Sequence, residues 1–551
     1  MSMKQMQLIV LMGGRATRLA PLSYTLPKGL LPINQKPVIF NMLADYVKQG
    51  LEDIVFVVSP GNEQVVRSFV EKSFENLRVR YVVQEKPRGP LHAFQLCEPL
   101  IQKPTLLLLG DTYCETDLDY SFDFLGYKTI DDRSHSRWCL IKTDSEERIL
   151  EIIDKPNYTP ETNKVLIGLY NFRDPDLLKR CLKQNYPLHR GELQLSSMIA
   201  EYAKQREMRG VPINAWLDTG TLKDYNNTLA KTVSGRNFNH FRLDEFGVLT
   251  KRSAGRKLAA EIAWLKEMQK TDLCFLTPRV LESGEENGEY FYRIEYLSAD
   301  TLAEYFNYYD ISEENWAYIF EKLLKTASLM WEKKAPAGSP DIAGLCDCMY
   351  RQKTLERIAG WNRKDILEKE SIVANGHRLL GFYPVFERLK DKIARLCETA
   401  EKFYSVIHGD LCFANTIYFP QTNTFKFLDP RGNFGVDMLY GDNRYDVAKL
   451  RHNYHGLYDY ITQDMFRLDE RGPDNFEYSF FTGKMINPQL FDAMAARYGF
   501  DVDEIELIEG LLFISMITLH NDDPAAQIMY YITGLKCLNH QLADEAEYRG
   551  A

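Results

Sequence analysis

The sequence predicts an α/β protein of two domains: an N-terminal mixed, mainly parallel sheet wrapped by helices, followed by an α+β domain with a small stranded lobe and a larger helical one. Three observations carry this. A chain of 551 residues is too long for a single hydrophobic core. Its first half alternates short apolar runs, at 8–12, 54–59 and 79–83, with helical periodicity, which is the pattern of a parallel sheet covered by helices. Its second half opens with two strands around an Asp-Glu-Phe-Gly turn at 244–247 and thereafter reads mainly helical.

Composition narrows the function classes. Apolar residues make up 45% and charged residues 26%, an ordinary balance for a globular enzyme, and a net charge of −10 argues against nucleic acid or an anionic membrane as partner. The expected partners are therefore small-molecule substrates, with self-association into a homo-oligomer left open. The apolar runs at 8–12 and 510–519 are too short for a signal peptide or a membrane span, so the expectation is no membrane insertion and a cytoplasmic location. Ten cysteines without regular spacing fit free thiols in a reducing compartment. The isolated Cys346-Asp-Cys348 has no second ligand pair at zinc spacing.

The N-terminal strand run QLIVLM breaks at once into GGRATRLAPLSYTLPKGLLPI. Such a break suits a backbone cradle for a triphosphate: Gly13 and Gly14 allow close approach, while Arg15, Arg18 and Lys28 supply positive charge. It is not a P-loop, since no GK[ST] follows. The stretch resembles the GxGTRLxPLTxxxPKPLLP signature of the sugar-phosphate nucleotidyltransferases, with two departures, GGRAT for GxGT and Gly29 in place of the second proline of PKP. The resemblance implies a Rossmann-like domain over 1–234 in which Arg18 and Lys28 are catalytic. In VVQEKPRGPLHAF it implies that Gln84 bonds a pyrimidine edge and that Gly89 makes room for the base. The buried run TLLLLGDTY ends in Asp111, and in open α/β sheets ligands sit beyond the carboxyl ends of strands, so Asp111 is placed to bind Mg²⁺. By the same resemblance Lys155 in IIDKP grips the substrate phosphate, Gly168 in IGLYNF lines the sugar pocket, Glu192 in GELQLSSMI bonds substrate hydroxyls, and Asp218 in AWLDTGT is the second carboxylate on the metal.

The boundary falls near 232–238, where Gly, Ser and Asn cluster, and the second domain runs over 235–551, with its small lobe at about 235–300 and its helical lobe at about 301–551. The informative stretch is VIHGDLCFANTIYFPQTNTFKFLDPRGNFG at 406–435: a His-Gly-Asp, an Asn five residues after that Asp, and another Asp fourteen residues further on, separated by strand-like runs. This spacing suits phosphoryl transfer, with Asp410 as base and Asn415 and Asp429 as Mg²⁺ ligands. It resembles the HGDxxxxN…D signature of the choline kinase and aminoglycoside phosphotransferase superfamily, and so implies a bilobal protein-kinase-like fold that uses ATP. Lys251 and Glu261 resemble the strand lysine and helix glutamate that grip nucleotide phosphates in such folds, residues 295–297 the hinge beside adenine, and Asp446 a brace for the catalytic loop. His452 and Tyr458 read equally as substrate contacts or as packed helix residues.

Together the two resemblances imply a bifunctional enzyme. One half phosphorylates a small hydroxyl compound with ATP, and the other couples the phosphate to a pyrimidine nucleotide (CTP, UTP or dTTP), giving an activated precursor for surface polysaccharide. Two alternatives stand beside it: an amino-alcohol kinase joined to a phosphocholine-type cytidylyltransferase, and a chain in which one half is catalytic and the other regulatory. Choline kinases carry an acidic residue two positions after the metal Asp, whereas this chain has Arg431, which favours a sugar, polyol or sugar acid over a cationic acceptor. The opposing possibility is that Arg431 turns away to pair with Asp437 or Asp442.

Overall fold

The structure is a computed structural model that describes residues 3–14, 16–20, 22–24, 26–33, 36–74, 77–130, 135–232, 240–336, 341–435, 439–482 and 487–542. The chain divides into two compact units, Met1–Thr232 and Val233–Ala551.

In the N-terminal unit, near-continuous apolar runs form the buried strands β1 (Gln7–Met12), β2 (Asp53–Val58), β3 (Arg78–Val83) and β4 (Thr105–Leu109). They lie in the order β4-β1-β2-β3, all parallel, with Leu8 opposite Ile54 and Leu106. Burial on both faces explains the absence of polar alternation in β1 and β2. Helices α1 (Val38–Lys48) and α2 (Glu63–Ser73) make the crossovers between these strands. The short strand β5 (Thr112–Cys114) follows β4 directly. The sheet then continues through β6 (Phe124–Thr129), β7 (Cys139–Thr143), β8 (Ile149–Asp154), β9 (Lys164–Phe172) and β10 (Arg209–Pro212).

Here the sheet differs from the mainly parallel one expected. Four pairings are parallel (β1/β2, β1/β4, β2/β3, β6/β10) and four are antiparallel (β4/β9, β6/β9, β7/β9, β7/β8). An apolar run such as KVLIGLYNF states that a strand is buried but not which way it runs, and β9 enters antiparallel. Its register shifts between Leu166 and Tyr170, a bulge centred on Gly168 at φ +91°. The core joins Ile9, Val55, Leu107 and Leu125 to Leu91 and Phe94 of α3 (Pro90–Gln95) and to Met198 and Tyr202 of α4 (Leu195–Ala203).

The C-terminal unit begins with a four-stranded antiparallel sheet, β12 (His240–Leu243), β13 (Val248–Ser253), β14 (Val280–Glu286) and β15 (Glu289–Glu295), in the order β12-β13-β15-β14; β11 (Trp216–Asp218) belongs to the first unit and pairs there with β5. Helix α5 (Arg256–Gln269) lies between β13 and β14 in sequence and buries Leu258, Ile262, Trp264 and Leu265. The rest is helical apart from short strands. α6 (Glu313–Trp331) starts at a Ser312 cap, and α9 (Val502–Met516) and α10 (Pro524–His540) start at Asp501 and Asp523 caps. α9 and α10 pack so closely that the Gly534 Cβ position lies 3.1 Å from the Gly510 carbonyl oxygen, leaving no room for a side chain. Between α6 and α9 come α7 (Lys353–Ala359) and α8 (Asn443–Tyr454), together with the paired strands β16 (Tyr404–Val406) and β19 (Tyr440–Asp442) and the hairpin β17 (Thr416–Phe419) and β18 (Thr424–Phe427).

Every residue of α8 is buried although more than half are polar or charged. Such a helix is tolerable only if each polar group is answered. Arg444 meets Asp442 at 2.7 Å and Glu504 at 2.9 Å, Arg451 meets Asp492 at 2.8 Å and also Glu509, and Asn453 bonds Asp459 at 2.7 Å. Among the described residues no helix is long and apolar enough to cross a membrane. All ten cysteines are free thiols.

Candidate active sites

In the N-terminal unit the sequence-predicted residues gather at the carboxyl ends of the parallel strands. Gly13 follows β1 and Gln84 follows β3, and the two touch: a Cβ on Gly13 would lie 2.8 Å from Gln84 Oε1. The Gln84 amide nitrogen donates to the Gly89 carbonyl at 3.3 Å and sits 3.0 Å from His92 Nδ1. Burial, then the Arg88 charge, lowers the His92 pKa, so its ring is neutral near pH 7. Gly89 has a backbone reason to be glycine. It caps α3 at φ +102°, and a Cβ there would lie 2.8 Å from the Leu193 nitrogen.

The Gly29 departure is explained in the same way, since a Cβ would overlap the Gly110 carbonyl and lie 2.8 Å from Met12 Cε. The neighbouring Lys28 pairs with the half-buried Asp111 carboxylate. Asp111 accepts at its main-chain oxygen from Thr219 Oγ at 2.9 Å, and Asp218 stands opposite Thr112 in the β5/β11 pair, so the backbones that carry the two aspartates run side by side. The Asp218 side chain and Arg15 lie outside the described residues. The bulge at Gly168 abuts this pair, its Cβ position being 2.8 Å from Thr112 Oγ. Arg18 is exposed in a 3₁₀ turn at Thr17–Leu19, and Gly14 has open space where a side chain would be.

A second line of contacts runs from Lys155 to Gln194 at 3.3 Å, and from Gln194 to Glu192 at 3.1 Å, with the Glu192 Cβ 3.0 Å from the Cβ position of Gly89. Lys155 adopts φ +46°, a strained conformation for a residue with a side chain. Gln194 and His92 were not singled out from the sequence. Gln194 stands two residues past Glu192, and only the fold turns it toward Lys155.

In the C-terminal unit, β13 supplies Lys251 and α5 supplies Glu261, 2.8 Å apart and both buried. Lys251 also lies 3.1 Å from Asp429, and the Tyr292 hydroxyl donates to Glu261 at 2.6 Å. Burial, with the Asp429 charge behind it, pushes Glu261 up to about 7. Burial alone would strip the Lys251 proton, but Asp429 and Glu261 outweigh it and its pKa is raised. Asp429 has φ +52°, and the chain after it presses on α5, where a Cβ on Gly432 would overlap the Ala260 carbonyl. Asn415 and Asp429 stand at the open end of the β17/β18 hairpin, with the Leu428 nitrogen donating to the Asn415 carbonyl at 2.8 Å.

The loop bearing Asp410 is held by α8. The His408 and Gly409 nitrogens donate to the Asp446 carboxylate at 2.9 and 2.8 Å, and Trp331 donates to it at 3.2 Å. Burial, only partly offset by these donors, lifts Asp446 to about 6. Burial drives His408 down to about 4, so its ring is neutral. Lys449 Nζ lies 3.0 Å from Asp410, and Asn415 donates to the Asp410 carbonyl at 2.9 Å. The sequence offered no sign of Lys449, which is separated from the HGD by the β17/β18 hairpin and β19 and reaches it only through α8.

Arg431 does not reach Asp442, whose carboxylate is taken by Arg444 and by Tyr350 at 3.0 Å; it donates instead to the Tyr445 hydroxyl at 2.9 Å. Asp437 lies outside the described residues. His452 is packed, its ring 4.4 Å from that of Tyr458 and its Nδ1 on the Lys449 carbonyl. The 295–297 segment leaves β15 with the Tyr296 nitrogen on the Gly247 carbonyl at 2.8 Å. No group of three or more His, Cys, Asp or Glu suited to a metal occurs among the described residues. The metal ligands expected from the sequence come in pairs, Asp111 with Asp218 and Asn415 with Asp429.

Residues 7–234 match the nucleotidyl transferase family model. A UTP–glucose-1-phosphate uridylyltransferase of Haloferax volcanii is 29% identical over 231 residues, which cover 40% of this chain and 93% of that protein. A glucose-1-phosphate thymidylyltransferase of Xanthomonas campestris pv. campestris is 28% identical over 235 residues, 40% of this chain and 78% of its own. The bifunctional protein GlmU of Methanococcus vannielii is 25% identical over 239 residues, 41% of this chain, which spans only 56% of that relative. Among solved structures, a UDP-glucose pyrophosphorylase complexed with UDP-glucose is similar over 40% of this chain and 96% of its own, with 21% identity and a TM-score of 0.38. The match to the nucleotidyl transferase family falls on the N-terminal unit, whose sheet, glycine turn and aspartates are described above.

Proposed function

We propose that the protein is a bifunctional transferase. Its C-terminal unit phosphorylates a sugar, polyol or sugar acid from ATP, and its N-terminal unit joins the phosphate to CTP, UTP or dTTP with release of pyrophosphate, giving an activated precursor for surface polysaccharide. The observation that carries the reading is the convergence of two charge networks in the C-terminal unit, Lys251–Glu261–Asp429 and Lys449–Asp410–Asn415, on the two sides of one hairpin.

Asp410 orients the acceptor hydroxyl and takes its proton as the new O–P bond forms and the bond from the γ-phosphorus to the departing ADP breaks, with Lys449 Nζ 3.0 Å from the carboxylate. Lys251, fixed by Glu261, donates to nucleotide phosphate oxygens. In the N-terminal unit Lys28, Arg18 and Lys155 offset phosphate charge while a substrate phosphate oxygen attacks the α-phosphorus and the bond to pyrophosphate breaks. The uridylyltransferase and thymidylyltransferase relatives are named for glucose 1-phosphate, which supports a sugar phosphate as acceptor here. Gln84 carries both a donor and an acceptor for a pyrimidine edge. Asp111 with Asp218, and Asn415 with Asp429, are the oxygen donors that would hold Mg²⁺, which neutralises phosphate charge when bound.

Incubation with ATP and each of CTP, UTP, dTTP and GTP, with a panel of sugars, polyols, sugar acids and amino alcohols, is read by mass spectrometry. The expected result is a phosphorylated acceptor with ATP alone and a nucleotide-activated product only when a pyrimidine triphosphate is added. A strong GTP preference would sink the assignment of Gln84, and choline phosphorylated as well as any sugar acid would sink the acceptor class.

A further inference from the structure

Beside Asp410 the C-terminal unit gathers four cations, three of which have no carboxylate partner among the described residues. Helix α7 follows a single π-helical turn at Cys348–Gln352, a distortion that recurs at functional sites. Lys353, the first residue of α7, has the Met349 sulfur at 3.9 Å as its one polar contact among the described residues. One turn on, Arg357 donates to the Ser515 carbonyl at 3.0 Å. The next residue, Met516, places its sulfur 3.8 Å from Lys449 Nζ, whose amine also faces Asp410. Arg431 is the fourth cation, near enough for its charge to act on both Lys353 and Arg357. Its stem lies against Gly409, with its Cβ 2.9 Å from the glycine's Cβ position, and its guanidinium is bonded to Tyr445, one turn before Lys449 on α8.

Of these four cations only Lys449 has a carboxylate partner among the described residues. Burial, and then the charges of Arg431, Arg357, Lys449 and Lys257, drive Lys353 down to about 5, and burial lowers Arg357 as well. Lys353, Arg357 and Arg431 are half-buried, and crowding like charges where water is only partly admitted costs free energy that an arriving anion would offset.

The geometry points to Lys353, Arg357 and Arg431 as a subsite for the carboxylate or phosphate of an anionic acceptor whose hydroxyl lies at Asp410, an assignment that rests on the phosphotransferase reading of this unit. Two guanidiniums offer planar, bidentate recognition of such a group, and Lys353 offers a point charge. The acceptor class is therefore a sugar acid or a phosphorylated polyol rather than a neutral sugar.

The test is calorimetric titration of the full-length protein at pH 7 with D-gluconate, D-glycerate and inorganic phosphate, beside the neutral sorbitol and glycerol. At least one anion binds more tightly than the neutral compounds. Lys353→Gln and Arg357→Gln each weaken that binding by about tenfold or more, the scale of one lost charge-assisted hydrogen bond. Binding takes up protons, seen as a buffer-dependent heat, because the anion restores the Lys353 charge, and Lys353→Gln removes the uptake. The thermal midpoint of each variant holds or rises, since Arg357→Gln relieves crowding of like charges and Lys353→Gln replaces an amine already neutral at pH 7. Failure of all three anions to bind, or binding unchanged in both variants, overturns the subsite. ATP-dependent transfer is followed in parallel. Neutral acceptors phosphorylated without anion binding would remove the subsite alone, whereas variant-sensitive anion binding with no acceptor ever phosphorylated would keep the subsite and remove the phosphotransferase reading.

Discussion

In the N-terminal unit the candidate site is made largely of backbone: Gly13 against Gln84, Gly29 against Gly110, Gly89 against Leu193, with the Lys28–Asp111 pair left half open to solvent. In the C-terminal unit it is made of side-chain charges taken almost wholly out of water, Lys251 with Glu261 and the α8 residues Asp446 and Lys449. The first design relies on close approach and fixed amide geometry, and tolerates little added volume. The second relies on each charge having its partner, and tolerates little loss.

The largest expected effect separates the two chemically. Asp410→Ala lowers phosphoryl transfer by about 10²–10⁴-fold and leaves nucleotidyl transfer onto a supplied sugar phosphate unchanged. Equal loss of both activities would show that the sites do not work independently. Next comes stability. Lys251→Met strands two carboxylates, and urea unfolding should show a loss of about 3–5 kcal/mol, whereas Lys28→Met, at a half-open pair, should cost about 1 kcal/mol or less. Comparable losses would break the contrast between buried and open charge.

Gly13→Ala is the matching probe of the backbone design. The added methyl displaces the Gln84 amide, so nucleotidyl transfer should fall by about tenfold, the equivalent of ~1.4 kcal/mol, with the unfolding midpoint unchanged. A further effect is in pH. Burial lifts Asp459, against the pull of its Asn453 bond, to about 7 from an ordinary 3.8. The folded state therefore keeps a proton that the unfolded state has released, and this group's contribution to stability is lost as pH rises across that window. Asp459→Asn keeps the shape and removes the titration, so urea midpoints of the variant should vary less between pH 4 and 7. An unchanged slope would show that Asp459 does not titrate there.

What could be read in the sequence and what could not divide along the same line. The strand runs, the glycine turn after β1 and the His-Gly-Asp stretch are local patterns, and each is visible within some thirty residues. The direction of β9 was not, because burial makes a strand apolar whichever way it runs. Lys449, Gln194 and the Trp331 bond to Asp446 were not either: their neighbours are chosen by helix packing between residues tens to more than a hundred positions apart. The burial of α8, NRYDVAKLRHNY, could not be read from its mostly polar residues either, and only the partners at Asp442, Asp492, Glu504 and Asp459 make it possible.

That helix has a kinetic consequence. Its Asp446 holds the loop of Asp410 while its Arg444 and Arg451 hold the helical bundle, so the loop cannot slacken without opening the bundle around it. On heating, the phosphotransferase activity should vanish at the same rate as the unit's own tertiary signal, as a single event. At the N-terminal candidate site the Lys28–Asp111 pair is only half-buried, so its loops should open and reclose within the lifetime of the folded sheet.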